Sequence, residues 1–95
     1  MIGGLSVQLT QAFEKDFAGF PGDIQRAILG CIRDLEQEPI PAGRRVHSVS
    51  AKGKKPTIYS ADVTSNKSYK LTFHIEQRVA YLRRVATHKQ IDRSP

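Results

Sequence analysis

Leu5, Val7 and Leu9 alternate with Ser6 and Gln8, the period of a short strand. Thr10 then suits a helix N-cap. Ala12, Phe13 and Phe17 recur at helical spacing, until Phe20-Pro21-Gly22 signals a turn. Asp23 is the expected N-cap of a second helix, in which Ile24, Ala27, Ile28, Cys31, Ile32 and Leu35 fall on one apolar stripe. Cys31 on that stripe reads as core. Pro39 and Pro41 cannot continue the helix, which is expected to end near Glu38, and Ala42-Gly43 supplies a loop.

From Arg44 the period changes. Arg44 to Val49 reads as a short strand, Ser50 to Pro56 as a lysine-rich loop, and Thr57 to Val63 as a second strand of this half. Thr64-Ser65-Asn66-Lys67 turns the chain into a β-hairpin. Its first strand alternates Tyr69, Leu71, Phe73 and Ile75 with Lys70, Thr72, His74 and Glu76, and its second begins at Val79 after the short Glu76-Gln77-Arg78 connection. The order strand, helix, helix, four strands predicts one α+β domain over residues 1–95, an antiparallel sheet with a helical hairpin on one face and the other face left to solvent or a ligand.

Parity sorts the hairpin. If Leu71, Phe73 and Ile75 face the helices, Lys70, Thr72 and His74 lie on the opposite face. Ala80 and Leu82 are then core partners, and Tyr81 and Arg83 share the open face. Arg84 has core parity, and an unpaired buried guanidinium is costly, so the strand is expected to bulge or end there.

Composition places the chain among globular domains, with 95 residues, 39% hydrophobic and 25% charged. A single cysteine allows no internal disulfide, and Met1 to Leu9 lacks the basic start and long apolar run of a signal peptide, so the cytoplasm is the expected compartment. No membrane association, cofactor or metal is expected, because three histidines and one core cysteine show no ligand spacing and no glycine-rich phosphate loop occurs. Charge is divided unevenly. Residues 1–43 carry three basic and six acidic side chains, a net −3, whereas residues 44–95 carry twelve basic and three acidic ones, a net +9. A basic half of this kind is the footprint of a phosphate-backbone partner, or of an acidic protein.

The layout resembles the RelE/ParE superfamily of bacterial type II toxins along nearly the whole chain. Leu82-Arg83-Arg84-Val85-Ala86-Thr87-His88 is similar to the strand and Gly-Thr-His ending of YafQ-like and HigB-like toxins, with Ala86 where that pattern has glycine. Ile91-Asp92 resembles the Tyr-Asp that follows in HigB-like members, with Ile91 in place of a tyrosine that some members use near the scissile phosphate. Arg45-Val46-His47 resembles the second-strand site where YafQ-like members carry a catalytic histidine and YoeB-like members a glutamate. The resemblance implies a RelE-like β-α-α-β-β-β-β fold and a ribosome-dependent endoribonuclease that cleaves mRNA. It further implies partners: the ribosome and mRNA, a cognate antitoxin that inhibits the toxin, and operator DNA only through the antitoxin complex. Members of the ParE branch share the fold but act on DNA gyrase without cutting RNA, and a plain nucleic-acid-binding module is the third alternative.

Metal-free RNA cleavage needs a base for the 2′-hydroxyl, an acid for the leaving 5′-oxygen and cations for the phosphorane. Histidine suits the first two tasks and arginine or lysine the third. The candidate catalytic residues are His47 and His88, sharing the acid and base roles in an order the sequence leaves open, with Lys70 and Arg83 on the phosphate. Arg44, Arg45, Lys52, Lys54, Lys55 and Arg84 form the candidate contact surface for RNA backbone. Tyr81 is a candidate for base stacking, and Asp92 orients His88 if the tail turns helically.

Overall fold

One threonine joins the first strand to the first helix and both to the last strand. In the computed structural model, which describes residues 4–50, 53, 56–64, 66 and 68–93 (residues 92 and 93 for backbone only), the Thr10 hydroxyl accepts from the Phe13 N–H at 3.2 Å. It thereby satisfies one of the donors that a helix start leaves unpaired. The same hydroxyl donates to the Leu82 carbonyl at 2.7 Å. Strand β1 is Ser6–Leu9 and helix α1 is Gln11–Ala18.

Helix α2 runs Gly22–Leu35, with Pro21 rather than Asp23 at the N-cap and Glu36 at the C-cap. Pro21 opens the helix without a donor to satisfy, and Asp23 sits in the first turn, where its charge complements the helix dipole. The helix stops before the expected Glu38. The stripe read from the sequence is the buried one: Ile28, Cys31 and Leu35 are fully buried, with Ile24, Ala27 and Ile32 packed beside them. Among the described residues, no helix is long and apolar enough to cross a membrane.

The expected strand from Arg44 to Val49 is mostly something else. Ala42–Arg44 forms a single 3-10 turn and Arg45 is left-handed at φ 50°, so β2 shrinks to His47–Ser48. Strand β3 is Tyr59–Asp62, β4 is Tyr69–Glu76 and β5 is Val79–Thr87. The hairpin turn is Gln77-Arg78, at φ 49° and 64°, the left-handed pair that a two-residue connection needs to match strand twist. A short helix α3, His88–Arg93, ends the described chain.

The sheet order is β1-β5-β4-β3-β2. Every neighbouring pair is antiparallel except β1 and β5, which run parallel, so the sheet is mixed where an antiparallel one was expected. The helices carry the chain from β1 to the far edge, and the β2-to-β5 meander brings it back beside its start. Local alternation specifies each hairpin but not the direction in which the last strand meets the first.

Phe13, Ile28, Cys31, Leu35, Ala61, Leu71, Phe73, Ala80, Leu82 and Val85 form the core between helices and sheet. Tyr59 stacks on Phe73 with centroids 5.6 Å apart. The far face is less open than its polar sequence suggested: Ser60, Asp62, Lys70, Thr72 and Ala86 are all buried, and α3 packs against β4 and β5 with Ile91 buried.

Candidate functional site

Register builds this far face. His47 pairs with Ser60, Ser60 with Thr72, and Thr72 with Arg84, one row across four strands. Asp62 pairs with Lys70 and Lys70 with Ala86 in the next row. Residues directly opposite share a face, so His47, Ser60, Asp62, Lys70, Thr72 and His74 stand together, away from Ala61, Leu71 and Phe73. The pairing of β4 and β5 slips between Thr72 and Phe73, whose partners are Arg84 and Leu82. Arg83 is the extra residue of this bulge. The bulge resolves the parity conflict foreseen for Arg84, because two consecutive arginines avoid the core while Val85 returns to it.

His47 is exposed, and its Nδ1 lies 2.7 Å from the Arg45 carbonyl oxygen. A carbonyl can only accept, so Nδ1 carries the proton, and in the neutral ring Nε2 keeps its lone pair. His88 opens α3 and is exposed, with its backbone N–H on the Ser68 carbonyl at 3.0 Å. Strands β3 and β4 separate β2 from β5, so the two histidines stand on opposite flanks of the face, not on adjoining parts of the sheet. The row from His47 to Arg84 spans three strand spacings, about 14 Å.

Lys70, expected on the open face as a phosphate contact, is less open than that reading requires. It is buried, with Nζ 3.5 Å from Asp62 Oδ1, and Arg45 Nε approaches the other oxygen of that carboxylate at 3.9 Å. Arg44 is likewise held inside the fold: its Nε donates to Asp34 Oδ2 at 2.8 Å, and its Nη1 donates to the carbonyls of Asp62 and Val63. Arg84 pairs with Asp16 on α1 at 2.7 Å, which raises the guanidinium pKa through the hydrogen bond and the adjacent charge. Tyr81 stacks on His74, centroids 5.1 Å apart, while His74 Nε2 lies 3.8 Å from Glu76.

Of the candidate cations described, Arg45 and Arg83 carry no such strong pairing, Arg45 mostly exposed and Arg83 half-buried. Lys52, Lys54 and Lys55 lie outside the described residues, as does the side chain of Asp92, although the backbone there is helical as its proposed role requires.

Among the described residues, the buried side-chain polar atoms lacking a hydrogen bond are Ser60 Oγ, Asp62 Oδ1, His74 Nδ1 and Arg83 Nε. All four belong to this face. Buried polar groups are normally paired, so their concentration here marks the face as the place where the fold tolerates polar cost. Sequence reasoning passed over Asp62, although a signal existed: it is one of three acids in the basic half and shares the strand parity of Ser60.

No family model matches the sequence, and no curated protein matches it. Likeness is found in solved structures. The RelE of the archaeal RelE–RelB complex from Pyrococcus horikoshii superposes with a TM-score of 0.69 at 18% identity, covering 88% of this chain and 94% of that one. The RelBE2 toxin–antitoxin complex from Mycobacterium tuberculosis gives 0.69 at 20% identity, covering 90% and 99%. YafQ from E. coli gives 0.63 at 14% identity, covering 92% and 97%. Across nearly its whole length, this chain has the fold of the RelE-type toxins.

Proposed function

We propose that this chain is the toxin of a toxin–antitoxin pair and a metal-free endoribonuclease that cleaves mRNA on the ribosome. The observation that carries the reading is the His47 imidazole, whose Nδ1–H donates to the Arg45 carbonyl and whose Nε2 is left to accept a proton on an exposed, cationic face. Nε2 removes the 2′-hydroxyl proton, the 2′-oxygen attacks phosphorus, and the 5′-oxygen leaves with a proton from His88. The products are a 2′,3′-cyclic phosphate and a 5′-hydroxyl. Arg83, with an unpaired Nε, and Lys70 stabilise the phosphorane, and Arg45 contacts the RNA backbone. A phosphate shared by both histidines lies over β3 and β4, between their flanks.

Structural neighbours solved with RelB and DinJ support a cognate antitoxin as the partner that restrains this chain. The site of action is then the cytoplasm, where ribosomes translate. Neutralisation of Lys70 by Asp62 and the separation of the histidines favour one second reading, a toxin of the ParE kind that acts by binding gyrase. Expression of the chain with and without the adjacent gene product, with transcript ends mapped on translating ribosomes, separates the two. The nuclease reading expects new 5′ ends within open reading frames. Growth arrest with intact mRNA and gyrase-linked DNA damage overturns it.

A further inference from the structure

Asp62 stands between two cations of the candidate site, one of which also holds His47. Its carboxylate is nearly fully buried, at 4% exposure, between Lys70 Nζ at 3.5 Å and Arg45 Nε at 3.9 Å. Arg45 is the left-handed residue whose carbonyl holds the His47 Nδ1 proton. A buried carboxylate is retained at a cost in desolvation, and here Oδ1 has no hydrogen bond to offset that cost.

We infer that Asp62 is a positioning residue of the candidate site: it draws in Lys70 and Arg45, and through Arg45 it sets the tautomer and orientation of His47. This rests on the reading of His47 as the base. Two opposing effects follow from one carboxylate. It lowers the local positive charge and so weakens RNA binding, and it orders the base and so speeds turnover. A residue that served folding alone would, on removal, harm both.

Asp62→Asn keeps the shape and removes the charge. Imidazole 15N shifts of the full-length variant are expected to show His47 moving from the Nδ1–H form toward the mixed tautomers of free histidine. With a single-stranded oligoribonucleotide as probe, binding is expected to tighten, with the slope of log affinity against log salt steeper by about one. Cleavage turnover is expected to fall about ten- to a hundredfold, while Asp62→Glu retains part of it.

Arg45→Met provides a second route, because Arg45 is mostly exposed and its side chain is dispensable for the core. It is expected to produce the same His47 tautomer change, and it decides the matter if Asp62→Asn does not fold. An unchanged His47 tautomer in the folded variants overturns the proposal, as does weaker RNA binding by Asp62→Asn. If the wild type cuts no RNA while the tautomer still shifts, the positioning role stands and the nuclease reading falls.

Discussion

Asp16 on α1 completes the edge of β5 where β1 runs out: its Oδ2 accepts the Val85 backbone N–H at 3.1 Å and the Arg84 Nε at 2.7 Å. Strand β1 pairs with β5 only as far as Leu82, so the next backbone donors on that edge need another acceptor. Asp16→Ala is expected to lower stability by about 2 kcal/mol, chiefly by orphaning the Val85 N–H. Arg84→Ala is expected to cost less than about 1 kcal/mol, because that side chain is 43% exposed and its ion pair is screened. Urea unfolding of the two variants checks the ranking, and equal losses would assign the energy to the ion pair.

The Gln77-Arg78 turn holds two side-chain-bearing residues in the left-handed region, at a cost of about 1–2 kcal/mol each. Gly at the second position removes that strain and sacrifices two weak exposed contacts of the Arg78 side chain, with Glu38 at 4.0 Å and with the Gly4 carbonyl at 3.5 Å. Arg78→Gly is expected to stabilise the fold by about 1 kcal/mol, a rise of roughly 4–8 °C in thermal midpoint. A lower midpoint would mean that the arginine contributes more than its exposure suggests.

Burial pushes the Cys31 thiol up from 9.0 to about 12, with the acids Asp34 and Asp62 adding to the rise and Arg44 opposing it. The folded state therefore binds the thiol proton more tightly than the unfolded chain. Its stabilising effect is complete below about pH 9 and is lost as the pH climbs from there toward 12. Relative to Cys31→Ala, the wild type is expected to lose about 2 kcal/mol of stability between pH 7.5 and pH 10.5. Parallel pH profiles of the two proteins would contradict this.

Much of this arrangement was legible in the sequence. Alternation from Tyr69 to Ile75 marks β4, and the cost of burying Arg84 points to a bulge at the position where the register slips. The partner of Lys70 was not legible, since Asp62 lies on another strand and only the register brings the two opposite one another. Nor does local pattern reveal the distance between His47 and His88, which depends on β3 and β4 lying between their strands. Arg44 likewise looked like a surface cation, because its acceptors come from α2 and the end of β3.

The proposed role of His47 as the base of a nuclease is read out by mRNA cleavage on translating ribosomes, with His47→Ala beside the wild type. His47 is exposed on a two-residue edge strand, so the variant is expected to fold normally. Loss of a positioned base is expected to slow cleavage about 10²-fold or more. Cleavage by the folded variant within about threefold of wild type would mean that His47 is not the base, since a general base typically contributes about 10²-fold or more.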